Sequence, residues 1–313
     1  MTSAAITDHG VVQAFPEAFS AAKKHGIKLI PGVEGYLAED QQIVRSARED
    51  LRPIADTPVV VLDFETTGLN TRLDRVIEIG AVRLEGDRVT DTLSLLVNPG
   101  QPLRQRIVEI TGITDSMLAG QETAETAIPK LLDFIGDCPI AAHNSAFDAA
   151  VLQSELKRLG LRWEGPVLDT LTMARKVYPE ERSHKLGSLC KHVGISLKNA
   201  HRAVHDATAT AQLLARMADI CRGQGLRTLQ DLNDGLPLGA IVDNYHIILL
   251  AATQEGLVNL NRLVSISNLE YFRRRPHMPK ELFQKHRSGL IVGSACEAGE
   301  LFRAVRAGAD RDR

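Results

Sequence analysis

Val59-Val60-Val61-Leu62-Asp63-Phe64-Glu65-Thr66-Thr67-Gly68 decides how this chain is read. Four apolar residues in a row, three of them β-branched valines, predict a buried strand. Strand side chains alternate between faces, so Asp63 and Glu65 share a face at the strand's end. Two carboxylates that close raise each other's pKa. A divalent cation between them removes the repulsion, and hard oxygen ligands suit Mg²⁺ or Mn²⁺. Taken alone, Asp-x-Glu is equally a pair of acids at an exposed strand end.

Two more acids follow in order. His143-Asn144-Ser145-Ala146-Phe147-Asp148 opens a segment with Val151, Leu152, Leu156 and Leu159 at helical spacing. Asn144 or Ser145 can cap that helix, and Asp148 then falls in its first turns on the side of Val151 and Leu152. His201-Arg202-Ala203-Val204-His205-Asp206 opens a later helix. There Asp206, Thr210, Leu213, Leu214 and Met217 share one face. A lone carboxylate at the end of a buried face is expensive, and a metal would justify it. His205, adjacent to Asp206, points about 100° away around the helix and reads as surface or packing.

Asp63, Glu65, Asp148, Asp206 and His201, in this order, resemble the DEDDh family of 3′→5′ exonucleases. The resemblance covers roughly residues 57–222 and includes Ile110-Thr111-Gly112-Ile113-Thr114 before a helix. It implies a ribonuclease H-like α/β fold, a mixed central sheet with flanking helices. It also implies two Mg²⁺ or Mn²⁺ ions per site. Asp63, Glu65 and Asp206 would hold the first, and Asp63 would bridge to a second that Asp148 joins. His201 would be the general base; an imidazole pKa of ~6.5 suits that task near neutral pH. Thr66, Thr67 and Asn144 would lie against the terminal nucleotide. Two residues stay open. His143 touches the substrate phosphate or is a hydrogen-bonded turn residue. Phe147 packs on a terminal base or fills core.

Composition neither demands nor forbids this reading. The chain has 313 residues, 44% hydrophobic and 24% charged, with a formal net charge of −2. Those values are ordinary for globular proteins of about two domains. A nuclease needs only a local basic patch; Arg273-Arg274-Arg275 is a candidate, with a solvated loop as its alternative. Four scattered cysteines without a CxxC exclude a sequence-local zinc finger and fit a reducing cytoplasm. The apolar run at 247–252 is too short to span a bilayer, so no membrane partner is expected.

The flanks read differently. A short strand runs into Thr7-Asp8-His9-Gly10, a helix follows from Pro16 to His25, and a strand from Ile27 to Val33 ends at Glu34. This is a β-α-β unit with parallel strands, placing Asp8, His9 and Glu34 at strand C-termini, where barrel folds put their chemistry. The charged stretch 46–50 and the Gly/Asn/Asp-rich stretch 223–239 read as linkers. Beyond them come a strand at 245–251, a helix at 256–266, a strand-to-turn unit at 289–296 and a helix at 299–307.

Ile6-Thr7-Asp8-His9-Gly10, Gly32-Val33-Glu34-Gly35-Tyr36, Leu263-Val264-Ser265-Ile266-Ser267 and Gly293-Ser294-Ala295-Cys296-Glu297 resemble the two halves of a PHP (polymerase-and-histidinol-phosphatase) domain. His9, Glu34, His246 and Cys296 match its metal-ligand positions. Its opening His-x-His and closing Asp-x-His have no counterpart, so a partial α/β barrel cut at both ends is expected. A nuclease inserted in a PHP domain is similar to the PolC-type family of replicative DNA polymerase III. That resemblance implies domains at 1–55, 56–224 and 225–313. It implies a proofreading exonuclease that releases nucleoside 5′-monophosphates from single-stranded DNA 3′ ends. Its partners would be the rest of the holoenzyme, including the sliding clamp. The alternatives are a free-standing nuclease acting on RNA, and a PHP portion serving as a non-catalytic scaffold.

Overall fold

The structure is a computed structural model and describes residues 2–39, 42–197, 202–236 and 243–306. It divides into two compact units, one of residues 1–41 with 240–313 and one of residues 42–239.

The chain opens with strand β1 (Ser3–His9), helix α1 (Phe15–His25) and strand β2 (Lys28–Glu39). β1 and β2 pair in parallel, as the β-α-β reading requires, and His9 lies opposite Glu34. β2 does not stop at Glu34, however. Gly32 and Gly35 both sit within the sheet. A Cβ at Gly32 would press on Leu249 and Leu250 of the neighbouring strand, so glycine serves close packing there rather than a bend.

The middle unit holds β3 (Val44–Arg45), β4 (Val59–Thr66), β5 (Val76–Glu85), β6 (Arg88–Leu96), β7 (Ile140–Ala142) and β8 (Val167–Asp169). Its helices are α2 (Gln105–Thr111), α3 (Asp115–Leu118), α4 (Ala124–Ile135), α5 (Ala146–Leu159), α6 (Thr170–Val177), α7 (Leu186–Val193), α8 (Ala203–Gly223) and α9 (Asp231–Asp234). The strands form one sheet in the order β3-β8-β7-β4-β5-β6. β4 is parallel to β7 and antiparallel to β5, giving the mixed ribonuclease H-like sheet. Both faces are covered, which explains the unbroken apolar run. Val59 and Val61 enter one core with Ala207, Ala211 and Leu214 of α8. Val60, Leu62 and Phe64 enter the other with Ile128 and Leu131 of α4 and Leu152 of α5.

This unit is wider than the 56–224 expected. Val44 and Arg45 pair with β8, and Ile43, Val44, Leu229, Leu232 and Leu236 all lie in the α8-side core. The second stretch read as a linker is therefore packed through Leu229, Leu232 and Leu236, whereas in the first residues 46–49 are exposed and only Asp50 is buried. Asn233 accepts from the Val44 amide and donates to the Val44 carbonyl, at 3.0 and 2.9 Å. A polar side chain here does the work of a neighbouring strand.

The chain then returns to the first sheet with β9 (Asp243–Ala251), α10 (Gln254–Leu269), β10 (Phe272–Arg273), β11 (Arg275–Pro279), α11 (Lys280–Lys285), β12 (Leu290–Gly293) and α12 (Glu300–Arg306). The order is β10-β11-β2-β9-β12, with β1 also on β2. β9 runs antiparallel to β2. Among the described residues this is an open, mixed six-stranded sheet rather than a closed barrel. The Arg273-Arg274-Arg275 run is the turn of the β10–β11 hairpin, with Arg274 at φ 60°.

Candidate metal and nuclease site

Asp63 and Glu65 alternate on β4 with Phe64 between them, on the side that faces α8. α8 brings Asp206 in its first turn. One carboxylate oxygen each from Asp63, Glu65 and Asp206 lie within 4.8 Å of one another. Asp148 comes from the first turn of α5 and is buried. Its Oδ1 accepts from the Phe64 amide at 3.1 Å, which fixes it beside the strand end.

The electrostatics are those of acids that raise one another's pKa. Burial, then the charges of Asp148, Glu65, Asp206 and Glu78, push Asp63 well above the usual carboxylate range. Burial, then Glu78, Asp206 and Asp148, raise Glu65 to about 8. Burial raises Asp148 to about 7 against the opposing pull of the Phe64 amide. Without a cation, such a set must hold protons near neutral pH to relieve its repulsion. Hard, acceptor-only oxygens converging at this spacing fit a divalent cation of the Mg²⁺ or Mn²⁺ class.

The nearby turns are firmly held. Thr66 Oγ1 donates to the Gly68 carbonyl at 2.5 Å. Thr67 Oγ1 donates to Asp74 and accepts from the Arg75 amide. The His143–Asp148 turn is anchored by Asp169, whose Oδ1 accepts from the amides of Asn144 and Ser145. Asn144 sits in the left-handed region at φ 70°. Both ring nitrogens of His143 are engaged, with Thr170 Oγ1 at 3.0 Å and the His184 carbonyl at 2.9 Å. Of its two readings this geometry favours the turn residue. Phe147 is half-buried against the α5-side core, which favours its core reading. His205 is exposed. His201 lies outside the described residues.

One residue was missed. Glu78 on β5 is fully buried and lies opposite Glu65. Its signal was a charge inside Val76-Ile77-Glu78-Ile79, an apolar strand with no polar alternation.

A second cluster lies in the flanking sheet. His9 Nε2 is 3.4 Å from Glu34 Oε2, and His246 Nδ1 is 2.6 Å from Glu34 Oε1. Donor atoms of these three residues also lie within 4.8 Å of one another. Cys296 Sγ is 3.5 Å from His246 Nδ1. Asp8, by contrast, turns to accept from the Ala14 amide at 3.0 Å.

Residues 60–214 match the family model described as Exonuclease (RNase_T). This stretch is similar to exonuclease domains. Nearly the whole chain is similar to proteins named DNA polymerase III PolC-type. The one from Clostridium perfringens is 44% identical over 309 residues, 97% of this chain and 21% of the relative. The one from Bacillus subtilis is 41% identical over 307 residues, 96% of this chain and 21% of the relative. The chain thus spans about a fifth of the length of these relatives. Among solved structures, exonuclease X in complex with 5′-overhanging duplex DNA is 27% identical at a TM-score of 0.46. That match covers 56% of this chain and 98% of exonuclease X. No helix among the described residues is long and apolar enough to cross a membrane.

Proposed function

We propose that this chain is the 3′→5′ proofreading exonuclease segment of a PolC-type replicative DNA polymerase III. It removes nucleoside 5′-monophosphates from single-stranded DNA 3′ ends. The observation that carries the reading is the convergence of Asp63, Glu65 and Asp206 beside the buried Asp148. The similarity to PolC-type polymerases over nearly the whole chain supports the choice of DNA over RNA.

In this reading Asp63, Glu65 and Asp206 would hold one Mg²⁺ or Mn²⁺, and Asp148 would contribute to holding a second. When bound, two such ions supply water activation and charge stabilisation for phosphodiester hydrolysis. The chain's own residues then have separate tasks. Asp148, held by the Phe64 amide, keeps its carboxylate aimed at the strand end. Thr66, Thr67 and Asn144 border the terminal nucleotide, Phe147 packs into the core beside them, and His143 braces the turn that carries Asn144. His201 takes the proton from the attacking water; a neutral imidazole suits that role near pH 7.

The flanking unit is read as the PHP domain that the nuclease interrupts. His9, Glu34, His246 and Cys296 are its remaining metal ligands, and the unit works as a scaffold in the polymerase. The partners are the rest of the holoenzyme with its sliding clamp, and the setting is the cytoplasm.

The test is a gel assay on 5′-end-labelled single-stranded DNA and RNA with Mg²⁺ or Mn²⁺, with EDTA as control. A metal-dependent ladder shortening from the 3′ end of DNA is expected. Faster RNA degradation, or activity that survives EDTA, would overturn the reading.

A further inference from the structure

The Glu78 carboxylate is held by donors at the start of α8. Its Oε1 accepts from Arg202 Nε at 2.9 Å and forms an ion pair with Arg202 Nη2 at 2.8 Å. Its Oε2 accepts from the Ala203 amide at 3.0 Å. Ala203 is the first residue of α8, and the N-cap residue Arg202 gives that helix no side-chain cap of its own. The cap therefore comes from β5, 125 residues earlier in the chain. A carboxylate suits this place because it accepts at both oxygens, and because the helix N-terminus favours negative charge.

A second observation on β5 points the same way. Gly80 lies two residues on, on the same face, and a Cβ there would collide with the backbone of Ala203 and Val204. Glycine lets the first turn of α8 rest directly on the strand. The rest of α8 is already fixed by Ala207, Ala211, Leu214 and Met217 in the core. What Glu78 and Gly80 add is the placement of the first turn, and Asp206 is in that turn. The arrangement has an electrostatic drawback, since Glu78 brings one more negative charge to Glu65. A purely apolar strand would have avoided it.

We propose that Glu78 is a positioning residue of the nuclease centre. It caps α8 from the neighbouring strand and, with Arg202 and Gly80, sets Asp206 at ligand distance from Asp63 and Glu65. The inference rests on the exonuclease reading given above, and its test separates the two.

The full chain is titrated with Mn²⁺ by electron paramagnetic resonance, without DNA, in wild type, Glu78→Gln, Gly80→Ala, Arg202→Lys and Asp206→Ala. The Mn²⁺ population that Asp206→Ala removes defines this centre. Glu78→Gln turns one acceptor into an NH₂ donor facing donors. It should weaken that population by about tenfold or more, in the range found when a residue supporting a ligand is lost. Gly80→Ala should act in the same direction and Arg202→Lys less strongly. On single-stranded DNA, Glu78→Gln should need correspondingly more Mn²⁺ for half-maximal rate. Its kcat should return to within about threefold of wild type at saturating Mn²⁺, with KM for DNA unchanged. Wild-type Mn²⁺ affinity in Glu78→Gln would overturn the inference, as would a raised KM for DNA without a metal shift. If Glu78→Gln fails to fold, Arg202→Lys and Gly80→Ala decide by the same readout. A wild-type chain that binds Mn²⁺ but never shortens DNA would sink the exonuclease reading and leave the role of Glu78 in metal binding standing.

Discussion

Two clusters of metal-capable side chains stand in the two units, and they differ in what satisfies them. In the flanking sheet, Glu34 already bonds His246 at 2.6 Å and faces His9 at 3.4 Å. Hydrogen-bond partners meet there, and the Glu34 carboxylate already has a donor within its own cluster. In the middle unit Asp63, Glu65 and Asp206 meet as like charges, with Asp148 and Glu78 adding to the repulsion. That cluster is completed from outside, by protons or a cation. A set of ligands that cannot satisfy one another is the better pointer to a working metal centre.

The sharpest way to break this comparison is to remove acids from the middle cluster. Asp63→Ala or Glu65→Ala should lower the rate of DNA degradation by at least ~10²-fold, as expected for loss of an ion that activates water and stabilises charge. The metal-free melting temperature should rise, because buried repulsion is relieved. A variant that keeps more than about a tenth of the wild-type rate would show that these acids are bystanders.

A second large effect concerns the borders of the unit. A segment of residues 56–224 lacks Ile43, Val44, Leu229, Leu232 and Leu236, all at most 6% exposed. At roughly 1.5–3 kcal/mol for each large side chain, the loss rivals the ~5–15 kcal/mol that holds a whole domain. Residues 42–236 should give a cooperative melt and full nuclease activity, whereas 56–224 should aggregate or melt without a sharp transition. Equal melting temperatures for the two would mean that the edge strand and α9 contribute nothing.

That contrast marks where the sequence was legible. The nuclease strand and the helices bearing Asp148 and Asp206 announce themselves through local periodicity, because alternation and helical spacing depend only on neighbours. The borders do not. Gly, Asn and Asp in 223–236 have the composition of a linker, yet Asp231 Oδ2 accepts from the amides of Arg227 and Thr228, and Asn233 pairs with Val44 across 189 residues. Composition cannot distinguish a polar residue that faces water from one that completes a distant backbone. Glu78 escaped for the same reason, since its partners Arg202 and Ala203 follow more than 120 residues later. Glu34 was located as a candidate ligand but not as a mid-strand residue.

The raised acids also predict how stability depends on pH. Glu65 titrates at about 8 and Asp148 at about 7 in the folded chain, against ~4 when unfolded. Between those values the folded state binds more protons, so its stability falls as pH rises. In EDTA the melting temperature should drop between pH 5 and 8.5. Mg²⁺ or Mn²⁺ should take the place of the protons and flatten the curve. Asp148→Asn, which still accepts from the Phe64 amide, should reduce the slope in EDTA. An unchanged slope in that variant would show that Asp148 is not among the groups that hold a proton.

The smallest effect is expected in the other cluster. The ties of His9, Glu34, His246 and Cys296 run to one another, to Tyr36 by ring contact at 5.1 Å and to the amides of Gly10 and Ala298. All of these belong to the flanking unit. Since sites that share no partner usually behave independently, His246→Ala should leave the nuclease rate within about twofold of wild type. An ion entering this cluster must displace the His246–Glu34 hydrogen bond, so affinity should be modest. Dialysis against Zn²⁺ or Mn²⁺ followed by metal analysis can separate the two centres. Asp63→Ala should lose the ions of the middle unit, and His246→Ala only those of the flanking sheet. A tenfold fall in nuclease rate in His246→Ala would instead tie the two clusters together, and the hydrogen-bonded set would have to be counted as part of the working enzyme.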